Sequence, residues 1–305
     1  MPMAAHSDPQ TYRLHRLEIK RAEHRVCLMK REFFRRSARL MRRLGARSGL
    51  RASYLLLRNE LARGAHGAAK PMRVPQVPHP IWLREGTSDF GVMEQIFVHR
   101  AYDFGRWSSH FAMIERTYGK LLERGKLPVI VDCGANIGCA TIWFALRFPR
   151  AIIYAVEPEP QTFMTLGRNV SAYGNVTPIE AGISDRMTRL SLRNPDGRPI
   201  ACQTVDDEQG SIGTVTVPHL LDRLPNCAPL IVKVDIEGYE TSLFRSNTTW
   251  AAQTPLVIFE PHDWLFHWRG TGDAVFRCLT QRPRDYLIRG DNIFSFAHPE
   301  SLVEA

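Results

Sequence analysis

A glycine-rich turn directly after a short apolar strand constrains the fold of this chain most strongly. The strand is predicted over residues 129–131, and residues 132–138 then read Asp-Cys-Gly-Ala-Asn-Ile-Gly. Gly134 and Gly138 allow a tight turn and a close approach of a ligand to the backbone, and Asn136 tolerates positive φ better than most residues. The spacing differs from the G-x-G-x-x-G of dinucleotide-binding folds. We therefore expect a strand, a ligand-binding turn and a helix in succession.

The chain after residue 128 alternates short β-branched runs with helical patterns, as is typical of a parallel sheet covered on both faces. Strands are predicted at 129–131, 152–156, 176–179, 230–234 and 256–259, and helices at 139–148, 161–173, 238–246 and 272–281. Two final runs, 285–288 and 293–296, predict an antiparallel hairpin at the end of the sheet. A dinucleotide-binding fold would continue with parallel units, so the hairpin argues against that class.

Residues 187–217 lie between the third and fourth predicted strands and are typical of an inserted hairpin. A strand at 190–193 leads into a turn at Asn194-Pro195-Asp196-Gly197. The insertion could shape a substrate site or be a surface hairpin with no specific role, and the sequence leaves both interpretations open.

Two acidic residues extend the prediction from a turn to a binding crevice. Asp132 comes just before the turn, so we expect its carboxylate to point into the ligand space and to favour a cationic ligand. Glu157 ends the second strand, 19 residues after Gly138, where a carboxylate can accept hydrogen bonds from both hydroxyls of a ribose. Together these features predict a nucleoside-binding crevice.

Several segments resemble the FkbM-type methyltransferases, a family of S-adenosylmethionine-dependent enzymes. The resemblance covers about residues 80–263 and is strongest in Lys-Val-Asp-Ile-Glu-Gly-Tyr-Glu at 233–240. Its other parts are residues 83–89, 132–138, Glu157-Pro158, Asn169 and Gly182-Ile183-Ser184-Asp185. The resemblance implies an α/β fold with a Rossmann-like class I methyltransferase sheet that ends in an antiparallel hairpin.

The resemblance also implies a cofactor site for S-adenosylmethionine. Its methionine part would lie near Asp132, Gly134, Asn136 and Gly138, and its ribose on Glu157. The adenine would be flanked by Asp185 or by the backbone of residues 182–183, although Asp185 could equally cap a turn.

Methyl transfer to a hydroxyl needs orientation and a base, and open α/β sheets bind ligands at the carboxyl ends of their strands. Asp235 and Glu237 follow the fourth strand and are the first catalytic candidates. His262 follows the fifth strand, beside Glu260, as a base or substrate contact. Glu237 could instead stabilise a helix N-terminus. We expect Lys233 to pair with a carboxylate. Two acids plus His262 could also hold a divalent metal, but no compact ligand spacing supports this alternative, and we predict no metal site.

The basic residues are concentrated near the N-terminus. Residues 1–70 hold 17 Lys and Arg against 5 Asp and Glu, which leaves 23 against 26 for residues 71–305. A linker is indicated by Gly64, Gly67 and the prolines at 71, 75, 78 and 80, and we place the domain boundary near residue 70. We therefore predict a basic helical arm and linker over 1–70 and a methyltransferase domain over 71–305. Apolar residues draw one helical stripe in the arm, namely Ile19, Ala22, Val26, Met29, Phe33, Leu40 and Leu44. Residues 1–63 could bind an anionic membrane surface, a nucleic acid or a partner helix, or pack on their own protein.

The predicted function is O-methylation of a hydroxyl on a sugar, a glycan or a small natural product. The alternatives are a nucleic-acid methyltransferase, which the net charge of residues 71–305 disfavours, and a non-catalytic scaffold recruited to a membrane or a partner.

The aromatic residues Trp264, Phe266 and Trp268 could stack on a sugar, but we favour a place in the core. Six scattered cysteines and the lack of a signal peptide or membrane span predict a cytoplasmic protein, peripheral to the membrane if the arm binds lipid.

Overall fold

The structure is a computed structural model that describes residues 31–61, 67–103, 108–193 and 203–302. The chain divides into two compact units, Met1–Leu57 and Arg58–Ala305. The first unit is shorter than the arm and linker predicted for residues 1–70, whose boundary stays a prediction. No helix among the described residues is long and apolar enough to cross a membrane.

Two helices, α1 over residues 31–44 and α2 (Ala46–Leu61), make up the described part of the basic arm. Gly45 separates them with a φ of +79°, in the left-handed region that glycine adopts without strain. Leu40 and Leu44 are buried, as the apolar stripe predicts for these two residues. The stripe residues Ile19, Ala22, Val26 and Met29 lie outside the described residues.

The second unit opens with a small hairpin and three helical segments. These are β1 (Ala69–Met72), β2 (Ile81–Arg84), α3 (Asp89–Met93), a π-helical turn (Glu94–Val98) and α4 (Ser108–Glu123). The βα alternation follows as β3 (Leu127–Cys133), α5 (Cys139–Arg147), β4 (Ile152–Glu157), α6 (Pro160–Val170) and β5 (Val176–Glu180). An insertion holds β6 (Gly182–Ile183), β7 (Arg189–Arg193), β8 (Gln203–Asp206), β9 (Ile212–Val215) and α7 (Val217–Asp222).

The second half completes the sheet. It contains β10 (Cys227–Val234), α8 (Glu240–Leu243), α9 (Thr249–Gln253), β11 (Leu256–Phe259), α10 (Thr271–Leu279), β12 (Arg284–Arg289), β13 (Asn292–Ala297) and a final 3₁₀ turn (Pro299–Ser301). The seven-stranded sheet has the order β12-β13-β11-β10-β3-β4-β5. Strands β11, β10, β3, β4 and β5 are parallel, and β13 pairs antiparallel with both β11 and β12. The predicted Rossmann-like sheet with a terminal antiparallel hairpin is confirmed.

Burial explains why the central strands could be recognised in the sequence. Val129, Val131, Val232 and Val234 are fully buried, because helices cover both faces of a parallel sheet and its strands carry apolar residues without alternation. The helix predicted over 238–246 is reduced to the four residues of α8. Gly238 has a φ of +91°, so the backbone is still left-handed where the helix was expected to begin.

Two segments outside the central sheet, the insertion at 187–217 and the proline-rich linker, were also predicted from the sequence. The inserted hairpin at 187–217 is present, with β7 and β8 antiparallel in a four-stranded sheet of order β6-β9-β7-β8, while its predicted turn at 194–197 lies outside the described residues. The proline-rich segment predicted as a linker holds the β1–β2 hairpin instead. The Asn169 side chain fixes that hairpin, accepting a hydrogen bond from Trp82 N at 2.7 Å and donating to Trp82 O at 3.1 Å.

Candidate active site

A cavity of about 720 Å³ opens at the carboxyl ends of the parallel strands. Ligands bind at this edge in open α/β sheets, next to the strand where the order reverses. That strand is β3, which lies between β10 and β4. Each of three parallel strands contributes residues to the lining. These are residues 134 and 136 after β3, residues 156–159 at the end of β4 and just beyond it, and residues 235–237 after β10, together with residues 181–183 after β5.

The glycine-rich turn forms one wall of this cavity and has the predicted backbone. Gly134, Asn136 and Gly138 have φ values of +75°, +51° and +87°. A Cβ at Gly134 would lie 1.8 Å from the carbonyl oxygen of Asp235, so a side chain there would displace the end of β10. The N–H groups of residues 134 and 135 donate to Val156 O at 3.0 and 2.9 Å, which attaches the turn to β4.

Glu157 lies beside this turn at the end of β4, with its carboxylate held by two backbone donors. Asn136 N donates to Oε2 at 2.9 Å and Glu159 N donates to Oε1 at 3.0 Å. Each carboxylate oxygen keeps capacity for a further hydrogen bond from a ligand. Burial raises the pKa of Glu157 to about 7, although both backbone hydrogen bonds act in the opposite direction.

Contrary to the sequence prediction, the carboxylate of Asp132 does not point into the cavity. Its carboxylate is fully buried, accepts a hydrogen bond from Thr141 Oγ1 at 2.6 Å and lies 3.1 Å from Lys233 Nζ. Asp132 and Lys233 are adjacent in register on neighbouring strands, so the lysine neutralises this carboxylate below the turn. The pairing predicted for Lys233 is therefore present, and its Nζ also lies 3.4 Å from Asp235.

The segment after β10 presents Asp235 and Glu237 to the cavity. Glu237 has a φ of +52°, and Gly238 follows at +91°, where a Cβ would lie 2.2 Å from the ring of Phe266. Two successive left-handed residues turn the chain sharply away from the strand, and a non-glycine residue in this conformation is strained. Burial and the nearby charge of Asp235 raise the pKa of Glu237 to about 7.

His262 joins these carboxylates from the neighbouring strand β11. Its ring is 2% exposed, and Nδ1 lies 2.7 Å from Oε1 of the fully buried Glu240. Nε2 faces Glu237 at 3.6 Å, Asp235 at 3.7 Å and Glu260 at 3.9 Å. Burial alone would lower the pKa of His262, but the hydrogen bond and charge of Glu240, with the charges of Asp235 and Glu237, raise it to about 9.

Asp185 is placed behind the cavity wall. Its carboxylate accepts a hydrogen bond from Ser246 Oγ at 2.7 Å, and Asn247 Nδ2 donates to its carbonyl oxygen at 3.3 Å. Residues 182 and 183 line the cavity, but Asp185 does not. Of the two predicted adenine contacts, the structure therefore places the backbone at the cavity and gives Asp185 structural partners.

The aromatic residues that follow His262 do not form the core that we expected. Trp264 is 63% exposed and Trp268 is completely exposed, so the core assignment is wrong for both. Phe266 alone packs inward, against Gly238. The chain between β11 and α10 therefore presents two indole rings to solvent.

Residues 132–283, about half of the chain, match the family model described as the methyltransferase FkbM domain. The chain carries an FkbM methyltransferase domain. The matched range contains Glu157, Asp235, Glu237 and His262. The predicted family resemblance is confirmed.

Curated relatives of this FkbM domain also have methyltransferase names. The hexuronic acid methyltransferase AglP of Haloferax volcanii is 31% identical over 152 residues, 47% of this chain and 59% of that protein. Methyltransferase 1 of Beauveria bassiana is 28% identical over 142 residues, 38% of this chain and 57% of that protein. The chain thus spans less than two thirds of the length of these relatives.

Among solved structures, a precorrin-6y C5,15-methyltransferase from Geobacter metallireducens aligns with 61% of this chain and 87% of its own, at 15% identity and a TM-score of 0.35. The fold assignment rests on the strand order described above.

One part of the cavity lies before the matched FkbM range. The cavity is also lined by Arg84, Thr87 and Ser88, from the end of β2 and the loop before α3. Arg84 is held by Asp89, with Nη2 at 2.8 Å from Oδ1, and donates to Thr162 Oγ1 at 3.1 Å. The sequence signal that could have identified these residues was the family resemblance at 83–89, for which the sequence analysis predicted no role.

Proposed function

We propose that this chain is an S-adenosylmethionine-dependent methyltransferase that methylates a hydroxyl group of a sugar or a related small molecule. The observation that carries the proposal is the pairing, in one cavity of an FkbM domain, of a nucleoside-type site around Glu157 with an acidic cluster around Asp235. The first can hold a cofactor, and the second can accept the proton that a hydroxyl loses on methylation.

In this proposal the cofactor lies along the β3–β4 side of the cavity. Glu157 would accept hydrogen bonds from both ribose hydroxyls, since each of its two oxygens accepts only one backbone hydrogen bond and can accept another. The turn from Gly134 to Gly138 contacts the methionine part, and the backbone of residues 182–183 contacts the adenine. The acidic cluster as a whole, and not the buried Asp132, gives the cavity a negative charge that favours the positively charged sulfonium.

Methyl transfer then proceeds as an in-line displacement. S-adenosylmethionine would supply a methyl carbon activated by its sulfonium, so that the acceptor oxygen would bond to that carbon as the carbon–sulfur bond breaks and a neutral thioether leaves. The hydroxyl proton passes to Asp235 or Glu237. Glu237 is suited to this because a general base works best with a pKa near the operating pH. His262, with its pKa raised to about 9, holds a proton at neutral pH and so positions the acceptor as a donor.

Two observations favour a sugar as the acceptor. The AglP relative is named as a hexuronic acid methyltransferase. The exposed rings of Trp264 and Trp268 follow the acidic cluster in the chain, where flat apolar surfaces can cover the face of a sugar. Because the cluster is anionic, we expect an uncharged hydroxyl of the sugar to enter it, with any acceptor carboxylate held elsewhere.

The test is transfer of a labelled methyl group from S-adenosylmethionine to a panel of hexuronic acids, neutral sugars and oligonucleotides. We expect micromolar cofactor binding by calorimetry and label in an ether-linked methyl group on a sugar. No cofactor binding by the folded protein would overturn the proposal in favour of a non-catalytic scaffold. Label in the oligonucleotides alone would replace it with nucleic-acid methylation.

We further propose that the N-terminal arm binds an anionic membrane surface, so that a cytoplasmic enzyme works at the membrane periphery. On α2, Leu50, Tyr54 and Leu57 are exposed on one helical face, and Arg47 and Arg51 flank them. Cosedimentation with vesicles containing phosphatidylserine tests this proposal. Leu50→Ser with Leu57→Ser should abolish binding, and equal binding to uncharged vesicles would contradict it.

A further inference from the structure

Three side chains that lie apart in the sequence converge at the acidic end of the cavity. Asp235 and Glu237 follow β10, and His262 follows the adjacent strand β11. One potential ligand atom from each lies within 4.8 Å of the other two, which among the described residues marks a group able to hold a metal ion. The sequence predicted no metal site, because these residues have no compact ligand spacing along the chain.

The imidazole of His262 is oriented toward this point from inside the protein. Its Nδ1 is fixed by the buried carboxylate of Glu240 at 2.7 Å, the arrangement that orients metal-binding histidines and leaves Nε2 free to coordinate. The Nε2 atom makes no hydrogen bond with the described residues, and its nearest carboxylate oxygens are 3.6 to 3.9 Å away. A buried ring nitrogen is thus aimed at a gap between carboxylates.

The size of this gap fits a small divalent ion. Ligands about 2.1 Å from an octahedral ion are separated by about 3.0 Å when adjacent and about 4.2 Å when opposite. His262 Nε2 lies 3.7 Å from the carboxylate of Asp235 and 3.6 Å from that of Glu237, and both distances fall between these two values.

The charge of the site is also unbalanced without a further cation. The carboxylates of Asp235, Glu237, Glu240 and Glu260 surround His262. The next cation is Lys233, which is shared between Asp132 at 3.1 Å and Asp235 at 3.4 Å. His262 and Lys233 together therefore offset fewer charges than the carboxylates around them carry, and one sulfonium would offset only one more.

We propose that Asp235, Glu237 and His262 bind one divalent cation of the Mg²⁺ or Mn²⁺ class at the acceptor side of the cavity. This inference rests on the proposed function and deepens it, because the ion would hold the acceptor hydroxyl oxygen and make its proton easier to remove. Two carboxylates with a single imidazole favour Mn²⁺ or Mg²⁺ over the thiolate-preferring metals. When bound, the ion would take the place of the proton on His262 Nε2, so that the neutral imidazole coordinates instead of donating to the acceptor. The hydroxyl proton would pass to the uncoordinated oxygen of Asp235 or Glu237, and the carbon–oxygen bond formed and the carbon–sulfur bond broken would stay the same.

The test is calorimetric titration of MnCl₂ into chelator-treated full-length protein, without cofactor or acceptor. We expect one site per chain, weakened about 10-fold or more by Glu237→Gln and by His262→Gln. Asp273→Asn serves as the matched control, since Asp273 is an exposed carboxylate paired with Arg277, and should bind as wild type. If His262→Gln does not fold, Glu237→Gln decides the test, because Glu237 is about one-third exposed.

Two results would overturn the metal site: no saturable Mn²⁺ binding by the wild type, or equal affinity in Glu237→Gln. Binding of ZnCl₂ but not MnCl₂ would overturn the assignment to a Mg²⁺-class ion. The outcome is separable from the proposed function. Mn²⁺ binding without methyl transfer would support the metal site and overturn the proposed function. Full methyl transfer in excess chelator would support the proposed function and overturn the role of the ion in it.

Discussion

The two ends of the cavity are built differently. The cofactor side consists of a backbone turn and one carboxylate, Glu157, whose two hydrogen bonds come from backbone N–H groups. The acceptor side consists of charged side chains after two strands, and the His262 ring is held by the carboxylate of Glu240. The first side is therefore shaped by backbone conformation, and the second by contacts between ionisable side chains. Single substitutions should therefore separate cofactor binding from chemistry.

The largest expected effect is on the acceptor side. Asp235→Asn should lower kcat for methyl transfer by about 10²- to 10⁴-fold, because it removes a carboxylate that takes part in proton removal. The affinity for S-adenosylmethionine should stay within about threefold of the wild type, since the ribose contacts lie on Glu157. Single-turnover kinetics and calorimetry measure the two quantities. A parallel loss of affinity and rate would mean that the two sides are not separate.

Gly134→Ala should disturb both sides together. The added Cβ would lie 1.8 Å from Asp235 O, and the φ of +75° is unfavourable for alanine. We expect the free energy of unfolding to fall by about 3 kcal/mol or more, as measured by urea denaturation. Gly119→Ala is the control, because Gly119 lies within α4 with no atom within 4 Å of its added Cβ, and it should be neutral or stabilising. Equal stability of the two variants would contradict the close approach of the turn to β10.

On the cofactor side, Glu157→Gln should weaken S-adenosylmethionine binding by about 10- to 100-fold, because a neutral amide replaces a charged acceptor of two ribose hydrogen bonds. Glu180→Gln is the matched control. Glu180 pairs with Glu157 in register on β5, but its side chain is exposed. Unchanged affinity in Glu157→Gln would remove the ribose role from this residue.

The same carboxylate predicts a pH dependence. Burial raises the pKa of Glu157 to about 7, so the free protein takes up a proton there as the pH falls through that value. The ionised form is the better acceptor for ribose hydroxyls, and cofactor affinity should fall about 10-fold or more between pH 8 and pH 5.5. Calorimetry on wild type and Glu157→Gln isolates this contribution. An identical pH profile in the two proteins would assign the dependence to other groups.

The features that could be predicted from the sequence are those with local causes. Apolar runs identified every strand of the central sheet, and the glycine and strand-end positions identified Gly134 and Glu157 at the cavity. Asp132 was misplaced because its orientation depends on Lys233, about a hundred residues later. The linker prediction missed the β1–β2 hairpin, in which the Asn169 side chain, 87 residues later in the chain, holds the backbone of Trp82.

The acceptor side shows the same limit in another form. Asp235, Glu237 and His262 were all named from their places at strand ends, and the structure brings them together. Their common geometry could not be read from spacing, since it depends on the left-handed turn at Glu237 and on the buried Glu240. The exposure of Trp264 and Trp268 could not be predicted from the sequence either, because an aromatic residue in a loop can lie in the core or in solvent.

The smallest expected effect is that of removing the exposed indole ring of Trp268, which lies outside the residues that line the cavity. Trp268 is completely exposed, so Trp268→Ala should leave the free energy of unfolding within about 0.5 kcal/mol of the wild type. If its indole ring supports a sugar acceptor, the variant should raise KM for that acceptor about threefold with kcat unchanged, the pattern of a lost binding contact. Ile288→Ala removes another exposed apolar side chain, on β12, and should change neither constant. An unchanged KM in Trp268→Ala would confine acceptor recognition to the cavity and withdraw the indole rings as support for a sugar.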